Sequence, residues 1–390
     1  MKKHKAIATT AVDAVIRHWP RSLAIMLCLI AMLSPFLSAL SILEGVKSQS
    51  RSSVEQGADI YVTMDLYGRN GVIPLAFVNE IRRMKDVVKV VPRAVGRVYI
   101  NGRPAVLLGI PAGEAEHADA AAAGAVPKPG EVAVGARLAR ALNLGAGSDI
   151  SIGTRAIGIV NGTPYALKKV YRVAGTLDPA SDIRAADLVI MDIQDAAEVY
   201  GMDGFATDLA VYTRPGSEAT VIDGLIGMNA AFRIQTRDLA RTYVEGGLNG
   251  RGGIFTALYL AAIAAAIPAI LVSSGIGLTE RKKEIGVLKA IGWRTGEVME
   301  LITIENVLYA ATGASAALLV SFFWVRLLNG FLIAKLFIPG IDALPSFPVP
   351  SRFLPLPFFS ALCVALVVTM TGSLATTWRT SVVPPREVLR

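Results

Sequence analysis

The sequence is short of the residues from which catalytic and disulfide-stapled proteins are built. Its 390 residues include two cysteines and three histidines. Cys28 and Cys363 both fall inside long apolar runs, which excludes a disulfide framework and a Cys/His metal quartet. No Gly-x-x-x-x-Gly-Lys-Ser/Thr loop is present to cradle nucleotide phosphates. His-Glu-x-x-His and Gly-x-Ser-x-Gly are missing as well. His4 and His18 lie in a basic N-terminal flank, and His117 lies in an Ala-rich stretch. Glu114, Glu116, His117 and Asp119 have the composition of a metal cluster, but without ligand spacing or a second histidine. The expectation is a non-enzyme with no catalytic, cofactor-binding or metal-binding residues of its own.

Charge is also scarce. Only 18% of residues are charged and 53% are hydrophobic, with a mean hydropathy of +0.50. The apolar residues gather into four blocks, Ser22–Leu43, Ile254–Leu278, Leu301–Leu328 and Phe353–Thr377. Each has the ~20 residues needed to cross a ~30 Å hydrocarbon core. The predicted fold class is therefore an α-helical membrane protein with four transmembrane helices, at 22–43, 254–278, 301–328 and 353–378. A large domain over 44–251 interrupts the first two.

The net charge of +8 does not point to nucleic acid, because its surplus hugs the apolar blocks. Residues 44–250 hold 22 Lys/Arg against 23 Asp/Glu. Lys2, Lys3, Lys5, Arg17 and Arg21 precede the first span, and Arg281, Lys282, Lys283, Lys289 and Arg294 separate the second from the third. Arg379, Arg386 and Arg390 follow the fourth. By the positive-inside rule those three segments are cytoplasmic, which puts the 44–251 domain outside. The connection at 329–352 carries Arg326, Lys335 and Arg352 in or beside it, which weakens the contrast without reversing it.

Segment 1–21 is basic and amphipathic. Ile7, Ala11, Val12, Val15, Ile16 and Trp19 share a face, Asp13 and Arg17 are spaced for an ion pair, and Pro20 is placed to start the turn into the membrane. It reads as a helix along the inner surface, against the plainer reading of a basic flank. Ala39-Leu40-Ser41 resembles a signal cleavage site, but the apolar run is too long for a signal peptide. Pro35 predicts a kink or break in the first span, and Pro268 a kink in the second.

The outer domain alternates short strands and helices and is α+β, with an inserted lobe at about 114–190. Strands are predicted at 87–91 and 95–101, a helix at 74–84, and a hairpin over Asn161-Gly162. Asp192 and Ser217 are placed to cap helices. Basic residues from Arg82 to Arg103 and acidic ones from Asp178 to Asp223 form two runs. They suit solvated faces, a partner or headgroup surface, or attraction across a dimer.

Between the second and third spans lies the patterned stretch of the chain, a cytoplasmic loop at 279–300. Glu280, Arg281, Lys283, Glu284, Ile285, Gly286, Leu288, Lys289, Ala290, Gly292 and Trp293 compose a short amphipathic helix and its exit. Ile285, Leu288 and Ile291 or Gly292 recur at helical spacing. A loop that only anchors topology needs Lys and Arg alone. Here Glu280, Glu284, Glu297 and Glu300 are interleaved with them, which favours a docking element. The Glu284-Ile285-Gly286 turn is expected to offer an exposed apolar knob, and Thr295 to cap the next helix. Glu305, an intramembrane carboxylate, is either a functional group or a snorkelling partner of Arg281 or Arg294. Gly313 and Ala317 make a small-xxx-small packing face.

Residues Glu280 to Gly292, followed by Glu305 and Gly313, resemble the signature of the MacB/FtsX/LolCE permeases, the type VII ABC transporter membrane subunits. The segment from Gly130-Glu131-Val132-Ala133-Val134 to Gly145-Ala146-Gly147 is similar to their outer domain, whose lobes are called Porter and Sabre. The one-plus-three span plan and the Pro-rich Val388-Leu389-Arg390 end agree. The resemblance implies a permease of the bacterial inner membrane, multi-pass with both termini cytoplasmic. It implies a dimer with a second permease copy or a paralogue. It also implies a separate cytoplasmic ABC ATPase dimer that binds ATP and Mg and docks on the 280–293 coupling helix. ATP-driven closure inside would move the outer domains by mechanotransmission. The work done would be export or extraction of a hydrophobic or amphiphilic substrate such as a lipoprotein, lipid, peptide or drug. The alternative is an FtsX-like transmitter that moves nothing and activates an extracytoplasmic partner such as a cell-wall hydrolase. A lipoprotein or other periplasmic partner and membrane lipid complete the expected partners.

Overall fold

The computed structural model describes residues 2–114, 127–160, 163–177, 187–275, 278–338, 341, 343–345 and 347–381. For 2–3, 155–160, 163–167, 262, 265–275, 278–282 and 372–381 it describes the backbone alone. The chain opens with α1 (Lys2–Arg17) and α2 (Trp19–Gln56). An α/β region follows: β1 (Ile60–Leu66), β2 (Arg69–Gly71), β3 (Ile73–Pro74), α3 (Ala76–Arg82), β4 (Val87–Ile100), β5 (Arg103–Ile110), β6 (Glu131–Gly135) and α4 (Ala136–Ala141). It continues with β7 (Asp149–Val160), β8 (Thr163–Leu177), β9 (Leu188–Asp192), α5 (Ile193–Tyr200), β10 (Phe205–Ala206), β11 (Asp208–Thr213), α6 (Glu218–Met228) and β12 (Phe232–Thr236). The chain then returns to helix: α7 (Arg237–Gly275), α8 (Leu278–Ala290), α9 (Thr295–Leu327), α10 (Ala334–Phe337) and α11 (Pro355–Ser381). Two units result. The helical one comprises Met1–Gly45, Leu248–Pro345 and Ser351–Arg390, and the α/β one comprises Val46–Gly247 and Ser346–Pro350.

In the helical unit, Leu29, Leu33, Phe36, Tyr309, Ala310, Ala314, Ala317, Ala361 and Ala365 form a buried core. Gly313 and Ala317 do take the packing role expected of them. Both are buried, and the Gly313 Cα faces Leu29 so closely that an added Cβ would lie 2.8 Å from its Cδ1. Polar groups inside the bundle are paired, Ser38 with Ser321 at 2.9 Å and Ser22 with Tyr309 at 3.0 Å. Phe36 stacks on Tyr259 at 4.1 Å between centroids. Pro35 does not break α2, which runs through it. A proline removes one N–H, and packed neighbours hold the rest of the helix in register. The Pro268 side chain and the small polar end of α7 lie outside the described side chains. Among the described residues two helices, α2 and α9, are long and apolar enough to cross a membrane, and α11 adds a shorter apolar stretch over Pro355–Thr371.

Three details at the start of the chain depart from expectation. The boundary between α1 and α2 is His18, with Pro20 already in the first turn of α2. His18 and Ser22 N–H groups donate to Ala14 and His18 carbonyls, so helical pairing continues across it. Ile7 and Ala11, assigned with Val12 and Ile16 to one face, are instead buried against Leu301. Val12, Ile16 and Trp19 stay exposed, at 43%, 67% and 65%. Asp13 and Arg17 form no ion pair among the described residues.

The α/β unit is built on one ten-stranded sheet in the order β12-β1-β11-β4-β5-β9-β6-β8-β7, with β2 on β1. The two strands predicted at 87–91 and 95–101 are a single strand, β4. Its first half pairs with β11 up to Arg93↔Asp208, and its second half pairs with β5 from Ala94↔Gly109. One core (Ile60, Val62, Ile73, Ile81, Leu209, Val211, Leu225) lies under the first half. A second (Val98, Ile100, Leu107, Val132, Tyr171, Val189, Met191) lies under the other. The second core thus draws on residues from Ala94 to Met202, because a strand long enough to pair on both halves carries the sheet straight from one core to the next. Ile190, Leu108, Val91 and Ala210 make a third cluster that draws on both lobes.

The hairpin predicted over Asn161-Gly162 is present in longer form, with Val160 opposite Thr163; the two turn residues lie outside the described ones. Pro74 belongs to β3, and the helix after it is only Ala76–Arg82. Asp192 caps α5 by accepting from the Gln194 N–H at 2.8 Å. Ser217 precedes α6, but its hydroxyl donates to the Arg214 carbonyl and does not cap. The basic run meets the acidic one where Arg93 pairs with Asp208 at 2.6 Å, both side chains 12% exposed; Lys169, outside the basic run, reaches Asp195 and Glu198. Of the residues resembling a metal cluster, Glu114 pairs with Lys89; Glu116, His117 and Asp119 lie outside the described residues.

Candidate functional site

The charged island folds into α8 and the start of α9. Leu278 to Ala290 is rich in Glu, Lys, Arg and Leu, which lose little side-chain freedom in a helix. Its end is set by Gly292, whose φ of +97° is the left-handed region. The Gly292 N–H donates to Lys289 and the Trp293 N–H to Leu288, both at 3.0 Å. This is the Schellman closure, and it requires a residue without Cβ at Gly292. Trp293 and Leu288 then meet around the same buried Leu301. The expected cap at Thr295 is displaced by one residue: Thr295 is the first helical position and Arg294 the cap, with Glu297 accepting from the Arg294 N–H at 3.0 Å.

Ile285 is not an exposed knob. It is 4% exposed and packs on Val298, Ile302 and Trp293. Gly286 is buried beside it, Leu288 is half-buried, and Glu284 bonds to the His18 ring at 2.8 Å. The apolar face read from the periodicity is therefore the face α8 turns toward α1 and α9. Among the described side chains, α8 and the residue after it offer Lys283, Val287, Ala290 and Ile291 to solvent, with Val287 53% and Ile291 69% exposed. Lys289 is half-buried and Gly292 exposed. Glu280 and Arg281 lie in the helix, but their side chains are outside the described ones. Val287 was missing from the sequence-derived set and Ile291 was assigned to the wrong face. Their spacing from Lys283, at i+4 and i+8, was the available signal.

Glu305 is 3% exposed and sits on the wall of a cleft of about 500 Å³ between α1, α8 and α9. Ile285, Leu288, Leu301 and Ile302 supply its apolar surface. Around it, α1 is held at both ends, His4 bonding Glu300 at 2.6 Å and His18 bonding Glu284. No group of His, Cys, Asp and Glu among the described residues is arranged to hold a metal.

Residues 256–385 match the model of the FtsX-like permease C-terminal domain. The matched span contains α8, α9 and Glu305, whereas α1 and the α/β unit lie outside it. The chain is similar to the periplasmic region of MacB from Actinobacillus actinomycetemcomitans, at 13% identity over 48% of this chain and 92% of that one, with a TM-score of 0.32. It is also similar to the extracellular domain of the noncanonic ABC-type transporter YknZ from Gram-positive bacteria. There the identity is 12%, the coverage 46% of this chain and all of that one, and the TM-score 0.31. No curated protein matches the chain.

Proposed function

We propose that this chain is the membrane permease subunit of an ABC transporter, in which a cytoplasmic ATPase moves α8 and thereby the extracytoplasmic α/β unit. The observation that carries this reading is the exposed stripe on a helix inside the FtsX-like domain. Lys283, Val287 and Ile291 combine a charge that sets orientation with two apolar side chains that fill a groove. The chain itself is non-catalytic in this reading, and ATP and Mg are held by the partner. Four spans leave both termini inside, and the working assembly pairs this subunit with a second permease. Work on a hydrophobic or amphiphilic substrate is favoured over pure signal transmission by the size of the outer unit, two cored lobes on ten strands.

Val287→Asp with Ile291→Asp tests the reading, because both side chains are exposed and neither supports α8 from within. Co-purification with the ATPase should fall at least tenfold, the loss of roughly 1.4 kcal/mol or more, while expression and melting temperature stay put. Undiminished co-purification would remove α8 as the coupling element. If a cell-wall hydrolase, and no lipid or lipoprotein, accompanies the native complex, the transmitter reading replaces transport.

A further inference from the structure

The cleft between α1, α8 and α9 shares Lys283 and Val287 with the stripe proposed for ATPase docking, but Asp13, Arg17 and Glu305 give it a chemistry of its own. Helical geometry gives α1 three faces. Ile7 and Ala11 are buried, Val12 and Ile16 are exposed and apolar, as is Trp19 at the start of α2, and Thr10, Asp13, Ala14 and Arg17 line the cleft. Two cations therefore stand at its edge, Arg17 from α1 and Lys283 from α8, with the carboxylates of Asp13 and Glu305 beside them. Arg17, Lys283 and Asp13 are engaged in no ion pair among the described residues. Thr10 and Glu284, the latter engaged by the His18 ring at 2.8 Å, also line it; the remaining walls are aliphatic, and the volume of about 500 Å³ is that of a ligand pocket. The apolar stripe of α1 continues into α2 through Leu23 and Leu27, 47% and 55% exposed, so the cleft opens beside a surface fit for acyl chains.

We propose that this cleft binds the headgroup of one membrane aminophospholipid. Its phosphate lies between Arg17 and Lys283, its primary ammonium donates to Glu305 and Asp13, and its first acyl carbons lie on Leu301 and Ile302. Both charge signs are needed to match a zwitterion, and hydrogen bonds between charged groups are the strong ones. A primary ammonium has three N–H donors. A trimethylammonium has none, so phosphatidylcholine loses the carboxylate contacts, and phosphatidylglycerol has no cation to offer. The site rests on the inner-leaflet placement of α1 in the reading above. It is measured without any ATPase, so its failure leaves the docking of α8 untouched.

The test uses the full chain purified in mild detergent and read by native mass spectrometry after exchange into nanodiscs of defined lipid. Phosphatidylethanolamine should remain bound at one per chain, about tenfold above phosphatidylcholine or phosphatidylglycerol. Arg17→Gln and Glu305→Gln should each remove that preference. Because Glu305 is buried, Asp13→Asn at the exposed rim serves as a second variant with the same expected direction. Glycerophosphoethanolamine, the headgroup without chains, should not displace the lipid. Equal retention of the three lipids, an unchanged preference in Arg17→Gln and Asp13→Asn, or displacement by the chainless headgroup would each overturn the proposal.

Discussion

At the scale of single residues, burial decides more than identity. Tyr171 is 1% exposed in the second lobe, and burial pushes its phenol up to about 12 from an ordinary value near 10. Lys169, 5.4 Å from the ring centroid, opposes this without reversing it. Lys169 is itself raised, chiefly by its hydrogen bond to Glu198. In the folded state Tyr171 keeps a proton that the unfolded chain releases above pH 10. The stability it supports is therefore complete below pH 10 and is lost as pH rises toward 12, on the order of 2 kcal/mol. Melting temperature of the full-length protein from pH 8 to 12 should show this loss, and Tyr171→Phe should flatten it. An identical alkaline slope in the variant would place the titration elsewhere.

At the scale of elements, close approach is licensed by small residues facing one another. Helix α5 lies on β5, where a Cβ at Gly109 would come within 2.2 Å of the Ala196 Cβ and 3.3 Å of the Ile193 Cα. A backbone atom cannot swing aside as a side-chain tip can. Gly109→Ala should therefore cost about 1–3 kcal/mol, and Ala196→Gly in the same chain should recover part of it. Chemical denaturation of the two variants and the double variant gives the coupling directly; additive losses would mean that α5 and β5 do not meet at this pair. An isolated glycine in a strand signals backbone approach. The turn-like break predicted near residues 92–94, by contrast, is bridged by continuous pairing on both sides of β4. Capping followed the same pattern. Asp192 was legible because its partner is two residues away, whereas Ser217 found a closer carbonyl behind it.

At the scale of the whole molecule, the proposed topology of four spans with both ends inside makes a prediction about access. Tyr67, at the β1–β2 turn, is fully exposed, and Arg294 lies at the exit of α8. In a background with Cys28 and Cys363 changed to serine, Tyr67→Cys should react with a membrane-impermeant maleimide on intact spheroplasts. Arg294→Cys should react only after permeabilisation, and labelling of both from outside would invert the topology. Composition and spacing alone marked the apolar blocks and the α/β domain between the first two, because apolar length and charge placement act locally and need no partner. They also determined that residues 280–292 form a helix ended by glycine, since helix propensity and the left-handed cap are properties of neighbouring residues. The tertiary structure alone decided which face of that helix remains available. Ile285 and Leu288 sit at the spacing of a docking face, but α1 and α9 bury that face first. Desolvating an apolar side chain stabilises equally well whichever partner supplies the cover, so periodicity marks the side that is covered and only packing names what covers it.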